Sequence, residues 1–427
     1  MADATEPGES LAMTTAAPRI VIIGGGHAGG NAVAALRQAG HDGAIVMISE
    51  EAVLPYHRPP LSKAYLKGDS GLETLYLRPA KFYESNGIET LLGERVKAID
   101  PAHKVVTLGS GREIAWDVLI LATGSIARRL DCPGAELGGV HVLRDIRDAE
   151  ALRDAIGAGK RLAIIGAGYV GLEVAASARE QGTEVTIIER EPRILARVAC
   201  EELSGFFHRF HAEQGVAFRT GASVAALHGE QGMVRSVELS DGETIACDAV
   251  LVGIGGSPCD SLAIAAGLRC DNGVIVDLAG RTSIDGIYAI GDMTRRPMPH
   301  YGGRLFRLES VPNAVDQAKA AAADIMGKPL PVPDLPWFWS DQYELKLQIA
   351  GVPFDADRQI VRHTPDKANS FSIFHLSGDH VVAVEAVNAI GDFVSGKKLI
   401  MSAQPVDIER LADSAIPVKT LLATAGD

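Results

Sequence analysis

The sequence predicts an α/β protein made of two parallel-sheet domains of one plan, followed by a smaller α+β domain. Three observations carry this. A β-branched run, a glycine frame and a helical stretch occur in tandem twice, as RIVIIGGGHAGGNAVA at residues 19–34 and RLAIIGAGYVGLEVA at residues 161–175. The 427 residues include 46 glycines and are 47% hydrophobic but only 5% aromatic, the aliphatic composition of parallel sheets covered on both faces. Beyond the proline-rich stretch MGKPLPVPDLPW, residues 326–337, the pattern turns to alternating runs such as FSIFHL and HVVAVEAV, the period of antiparallel strands.

Residues 1–17 are small and polar and are expected to form a disordered tail. They lack the basic start and apolar core of a signal peptide. No apolar run approaches the ~18 residues of a membrane-spanning helix. A cytoplasmic protein is expected.

In the first unit, the apolar run Ile20–Ile23 reads as a buried strand. Gly24, Gly26 and Gly29 then fill a GxGxxG frame around His27 and Ala28. The first glycine permits the turn, the second lets a pyrophosphate approach the backbone, and the third lets helix pack on strand. Helix-like NAVAALRQAG follows, ending at Gly40, a glycine placed to close a helix. The strand AIVMIS leads to Glu50, 21 residues past Gly29, near the ~20 expected of a carboxylate that grips ribose hydroxyls. The second unit repeats each part. Gly166, Gly168 and Gly171 form the frame, Tyr169 and Val170 lie inside it, and the strand EVTIIE ends at Glu189, 18 residues past Gly171. A Rossmann-like unit built twice means two dinucleotides, and two dinucleotides imply that something passes between them. The natural pair is a flavin held permanently and a nicotinamide that exchanges, with hydride as the cargo.

Composition excludes several other classes. A net charge of −13 disfavours a nucleic-acid binder, which needs a basic footprint. Cys132, Cys200, Cys247, Cys259 and Cys270 form no CxxC pair, so neither a zinc ribbon nor a dithiol motif is present. They are too scattered for an iron–sulfur cluster. The histidines show no metal spacing such as HExxH, and no metal is assigned. Electrons therefore leave to a separate molecule.

Five further stretches carry a family resemblance: LPYHRPPLSKAYL at residues 54–66, VLILATGS at 118–125, TSIDGIYAIGDM at 282–293, RLESVPNAVDQA at 307–318 and PWFWSDQYELKLQIAG at 336–351. From residue 19 to about 410 the chain resembles the putidaredoxin reductase-like flavoprotein ferredoxin reductases of bacterial oxygenase systems. These share the two-dinucleotide-domain fold of glutathione reductase. The resemblance implies FAD in the first glycine unit and NADH in the second. It places Arg58, Pro59 and Lys63 against FAD, with Lys63 near the flavin N5. The same physical reading holds for the loop itself, since Pro59 and Pro60 stiffen it and arginine forks onto phosphate oxygens. It further assigns Val96, Ala122, Thr123, Gly124, Arg128, Gly291, Asp292, Ser310 and Val311 to FAD, Asp292 on the ribityl chain. Trp339 is placed on the pyrimidine side of the ring, while Trp337 and Phe338 are read as core.

For the nicotinamide, the resemblance implies Gly255 near the cofactor and Glu173 accepting from the nicotinamide amide. Lys63 and Glu173 are the two residues given catalytic roles. Glu189 favours NADH, because a carboxylate there repels a 2′-phosphate. Arg190 and Arg193 follow closely and moderate that repulsion, so preference rather than exclusivity is expected. The implied domains are 18–124 with 257–331 for FAD, 125–256 for NAD, and 332–427 as a C-terminal domain covering the flavin. The implied reaction moves hydride from NADH to FAD, then single electrons to a [2Fe–2S] ferredoxin that serves a monooxygenase or dioxygenase. Docking is expected through a local basic patch drawn from Arg295, Arg296, Arg304, Arg307, Lys397 and Lys398, on a monomer that binds neither nucleic acid nor membrane. Two rivals remain: a rubredoxin reductase or diaphorase-like oxidase, and a redox-sensing flavoprotein of the apoptosis-inducing-factor kind.

Overall fold

Short aliphatic runs, buried along their whole length in central strands such as Ile20–Ile23, Ile45–Ser49 and Ala249–Val252, assemble two five-stranded parallel sheets. In this computed structural model, which describes residues 17–422, the first sheet has the spatial order Ile287–Ala289, Val118–Leu121, Ile20–Ile23, Ile45–Ser49 and Ile88–Leu92. The second has the order Ala217–Thr220, Glu184–Glu189, Arg161–Ile165, Ala249–Val252 and Val140–His141. The tail expected over residues 1–17 lies outside the described residues apart from Ala17.

The reason for unbroken apolar runs is visible in the packing. Successive side chains point to opposite faces. Val21 and Ile23 enter one core with Val46, Ile48 and the meander strands. Ile20 and Ile22 enter another with Ala28, Ala32, Leu36, Ala314 and Ala318 from two helices. With both faces covered, alternation has no place in the strand.

The repeat extends beyond the glycine turns. A three-stranded antiparallel meander follows in each unit: Val96–Asp100, Val105–Leu108 and Glu113–Ala115 in the first, Val224–Glu230, Met233–Leu239 and Thr244–Ala246 in the second. The backbone bonds that close the glycine turns match as well. Gly24 N–H donates to Ile48 O and Gly166 N–H to Ile188 O, each at 2.8 Å. The strands Ser125–Ala127 and Gly256–Pro258 pair antiparallel where the chain crosses between the sheets.

The first helix differs from the sequence reading. It runs His27–Gln38 and so begins four residues before the expected NAVAALRQAG stretch. Gly29 and Gly30 lie inside its first turn despite glycine's poor helix propensity, because a side chain at Gly29 would sit 1.9 Å from Gly24 O. The second helix, Tyr169–Glu180, likewise begins inside its glycine frame.

The C-terminal sheet is antiparallel, in the order Trp337–Gln342, Leu345–Gly351, His380–Val387, Phe371–Ser377 and Arg358–His363. One face packs under the helix Ile390–Ser402, where Gly396 lets the helix approach Phe374 and Val384. A short helix, Ile408–Ala412, follows that one. The other face offers Leu345, Leu347, Ile349, Phe371, Ile373 and Val387 to the same core as Leu172, Val174, Leu203 and Phe207 of the second unit. The C-terminal domain is thus anchored to the second unit by a shared apolar core. No helix among the described residues is long and apolar enough to cross a membrane.

Phe374 is fully buried beneath the C-terminal helix. Phe374→Ala is expected to destabilise this domain by about 3–5 kcal/mol. Urea unfolding followed by tryptophan fluorescence tests this, since Trp337 and Trp339 report from the same sheet.

Candidate functional site

Each glycine turn forms a cradle at a helix N-terminus. Gly24 has φ of 118°, and a Cβ there would stand 2.2 Å from Ala122 O. Gly166 has φ of 102°, and its Cβ would stand 2.5 Å from Gly253 O. Both turns are locked against a neighbouring strand. The middle glycines are open instead. A Cβ at Gly168 would meet nothing within 4 Å, and one at Gly26 would meet only the Arg58 guanidinium, at 3.8 Å. Open backbone at the positive end of a twelve-residue helix suits a phosphate.

The acids sit at the ends of the second strands. Glu50 is exposed, 3.7 Å from Arg95. Glu189 is held more tightly: one oxygen accepts from Ala167 N–H at 2.7 Å and the other from Glu191 N–H at 2.9 Å. A carboxylate has about four acceptor positions, so lone pairs remain for ribose hydroxyls. Arg193 donates to the carbonyls of Ala196 and Ala199, and Arg190 pairs with Glu191. Neither arginine forms an ion pair with Glu189 among the described residues.

Around the first cradle, His27 opens the helix, buried. Burial first, then the neighbouring His57, Arg58 and Arg144, pushes its pKa down to about 3, so it is neutral. Asp292 follows Gly291, whose positive φ of 81° lets the turn pack on Ala28. Burial raises the Asp292 pKa, opposed by Arg144, which donates to it at 3.1 Å. Thr123 donates to Cys259 O at 2.7 Å, and Gly124 turns beneath Arg144. Ser310 caps the helix Val311–Ile325 by accepting from Asn313 N–H at 3.2 Å.

Three assignments change in detail. Arg58 does not present a free fork: it pairs with Glu51 and donates to Arg144 O at 2.7 Å. The Val96 side chain is spent in the meander core with Ile99 and Val106, leaving its main chain for any ligand. Arg128 is exposed on the crossing ribbon, its N–H bonded to Gly255 O at 3.0 Å and its Nε to Ser257 at 3.2 Å.

Between the cradles lies a buried polar junction. Glu173, one turn into the second helix, is 6% exposed. One of its oxygens meets Lys63 Nζ at 2.6 Å and accepts from Ser62 Oγ at 2.5 Å. The other accepts from Ser340 Oγ at 2.7 Å. Gln342 donates to Ser340, and His211 bonds Gln342 at 2.7 Å. The 3₁₀ turn Pro59–Ser62 presents Lys63, whose Nζ also donates to Pro59 O at 3.2 Å. Trp339 lies in the strand that carries Ser340, its ring 5.6 Å from that of Trp337. Phe338 packs on Tyr169 at 4.7 Å, and Val170 is exposed beside it. Trp337 and Phe338 both lie against cores while staying partly exposed.

Sequence reasoning missed Glu51, Ser62, Arg144, Ser340, Gln342 and His211. Each is a common polar residue with no spacing signal, brought in by tertiary contact.

The six cations considered for partner docking do not form a free positive field. Arg295 pairs with Asp271, Arg304 with Asp355, Arg307 with Glu309 and Lys397 with Asp334, and Arg296 is buried. Lys398 is exposed without a carboxylate partner among the described residues.

Residues 18–318 match the family described as pyridine nucleotide-disulphide oxidoreductase, and residues 337–422 match one described as reductase C-terminal. The chain belongs to the pyridine nucleotide-disulphide oxidoreductases. It is 47% identical to the probable ferredoxin reductase CtmF of Castellaniella defragrans, over 94% of this chain and 98% of that one. It is 40% identical to putidaredoxin reductase CamA of Pseudomonas putida, over 95% and 97%. A rubredoxin–NAD(+) reductase of Pseudomonas putida is also 40% identical, over 86% and 95%. Among solved structures, the reductase in a covalent putidaredoxin reductase–putidaredoxin complex superposes with a TM-score of 0.92 at 39% identity, over 96% of this chain and 99% of that one. This member of the oxidoreductase family is a flavoenzyme of the ferredoxin reductase kind, with FAD and NAD(H) as its cofactors. The residues present fit both: two locked turns with open middle glycines, each followed by a strand-end carboxylate.

Two outcomes follow from this oxidoreductase's site. Ser340→Ala leaves one Glu173 oxygen without its donor and is expected to lower stability by about 1–3 kcal/mol, read by chemical denaturation of the FAD-loaded protein. The second concerns acid. Burial lowers the His211 pKa from 6.5 to about 4, and His27 is lowered to about 3. The unfolded chain takes up protons below pH 6.5 that the folded chain refuses, so stability falls as pH drops from 6.5 toward 4. His211→Gln, which keeps an amide for Gln342, should flatten that slope.

Proposed function

We propose that this oxidoreductase uses NADH to reduce a [2Fe–2S] ferredoxin of an oxygenase system, with FAD in the first glycine cradle and NADH in the second. FAD, when bound, accepts two electrons from the nicotinamide and releases them singly. The chain's own residues supply the rest. Gly24, Gly26, His27, Ala28 and Gly29 would seat the FAD pyrophosphate, with Glu50 on its ribose and Asp292 reaching the polyol chain. Gly166, Gly168, Tyr169, Val170 and Gly171 would seat the nicotinamide nucleotide, with Glu189 on its ribose. Lys63 would bring positive charge to the flavin ring, and Glu173 fixes where that charge stands.

The observation that carries the reading is the junction of Lys63, Glu173 and Ser340 between two equivalent cradles. It aligns two ring systems, and alignment is most of what hydride transfer asks of a protein. The five cysteines are free thiols, which supports an exit to a separate carrier rather than an internal disulfide. For an acidic carrier, Lys398 is the positive contact we propose, since its neighbours in the docking group are neutralised.

Steady-state NADH oxidation with a panel of [2Fe–2S] ferredoxins tests the acceptor. At least one should be reduced faster than a dye control, and a panel with no such member removes the ferredoxin assignment. A rubredoxin belongs in the same panel, given the 40% identity to a rubredoxin reductase; faster reduction of rubredoxin than of every ferredoxin would reassign the partner.

The cofactor preference has its own test. Glu189→Ala removes both the ribose acceptor and the charge that opposes a 2′-phosphate. The NADH-to-NADPH ratio of kcat/KM is expected to fall by roughly 10–100-fold, with the flavin content unchanged.

A further inference from the structure

Three side chains of metal-ligand type, Cys200 from one region of the sequence and His375 and Glu385 from another, converge where the C-terminal sheet meets the second parallel-sheet domain. Cys200 immediately precedes the helix Glu201–Glu213, with no side-chain cap bond to it. His375 and Glu385 come from the neighbouring strands Phe371–Ser377 and His380–Val387. In their pairing Ile373 stands opposite Glu385 and His375 opposite Ala383. Period-two alternation therefore puts His375 and Glu385 on the face that Phe371, Ile373 and Val387 turn into the shared core.

The geometry is close. Cys200 Sγ lies 2.9 Å from one Glu385 oxygen, and Cys200 N–H reaches the other at 3.3 Å. His375 Nε2 lies 3.6 Å from Glu385, beyond a hydrogen bond. His375 is 2% exposed, and its Nε2 has no other partner. A buried ring nitrogen left unpaired carries an uncompensated desolvation penalty. All three donor atoms lie within 4.8 Å of one another. Tetrahedral zinc bonds of ordinary length would space such donors about 3.4–3.6 Å apart, a spacing that the 2.9 and 3.6 Å contacts bracket.

We propose that Cys200, His375 and Glu385 bind one Zn²⁺, with a fourth position left to water. A thiolate, an imidazole and a carboxylate form a borderline-soft set that suits zinc over magnesium or calcium. One thiolate and one carboxylate also neutralise the dication, which a buried site requires. On binding, the Cys200 S–H proton leaves to solvent and an S–Zn bond replaces the thiol's hydrogen bond to Glu385. The consequence is mechanical. Arg193 bonds the carbonyls of Ala196, Ala199 and Cys200, which ties the turn of residues 193–200 together. Zinc would fasten the end of that turn to the C-terminal sheet, close to the Glu189 end of the nicotinamide cradle.

The test uses the FAD-loaded protein after chelator treatment. Titration with Co²⁺ should reach one ion per chain, with ligand-field bands beyond the flavin absorption that vanish on adding Zn²⁺. Cys200→Ser and His375→Gln should each weaken binding by roughly 10–100-fold or more, with flavin and circular-dichroism spectra preserved. Absence of stoichiometric binding to the parent protein, or unweakened binding in both folded variants, overturns the site. Should either variant fail to fold, alkylation of the parent protein decides. Zn²⁺ should slow iodoacetamide labelling of Cys200 at least about tenfold and leave Cys132 unaffected; equal labelling of Cys200 with and without Zn²⁺ overturns the proposal.

Discussion

One buried carboxylate sets how the three domains stand to one another. Glu173 belongs to the second parallel-sheet unit, Lys63 and Ser62 to the loop of the first, and Ser340 to the C-terminal sheet. A charge this far from water is tolerable only when paired and hydrogen-bonded. All three partners must therefore be present together, and a shift of any domain by a hydrogen-bond length breaks the arrangement. Apolar contact alone does not fix position this sharply. The shared core of Leu172, Phe207, Leu347 and Ile373 holds the C-terminal sheet against the second unit, but such cores tolerate small slides. The polar junction adds the register.

That junction explains the limits of what could be read from sequence. The glycine turns were legible because their constraint is local: positive φ at Gly24 and Gly166, and no room for a Cβ against Ala122 O or Gly253 O. The buried strands were legible because two covered faces demand unbroken apolar runs. Ser340, Gln342 and His211 were not: Ser340 and Gln342 lie in a marker stretch beside Trp339, but neither these nor His211 carries a local signal of the partner it meets. Their meaning comes from segments more than a hundred residues away. Arg144 is similar. It precedes a helix capped by Asp145, an ordinary local motif, yet its guanidinium reaches Asp292 at the far end of the first sheet.

Charge shows the same limit from the other side. A sequence names cations but not their partners. Arg295, Arg304, Arg307 and Lys397 looked like a docking group, and each turned out to carry its own carboxylate. With a net charge of −13, a local acid for most exposed bases is the expected outcome. Positive steering of an acidic carrier must then come from few residues and act at short range, within a Debye length of about 8–10 Å.

The duplicated plan makes a comparison possible within one chain. Superposing the two glycine frames sets Asn31 against Glu173 and His27 against Tyr169. Asn31 donates to His27 O within its own helix, so the first unit closes on itself at this position. Glu173 instead reaches outward to two other domains. His27 is a neutral ring sealed under the first cradle, whereas Tyr169 lies against Phe338 of the C-terminal sheet. Each of these two residues thus has one contact on the strand Trp337–Gln342, Glu173 with Ser340 and Tyr169 with Phe338. A fold repeated without change would give two equivalent pockets with no relation between them. Of the two differences, the one at Glu173 ties the second copy to the first, through Lys63 and Ser62, and the one at Tyr169 ties it to the C-terminal sheet.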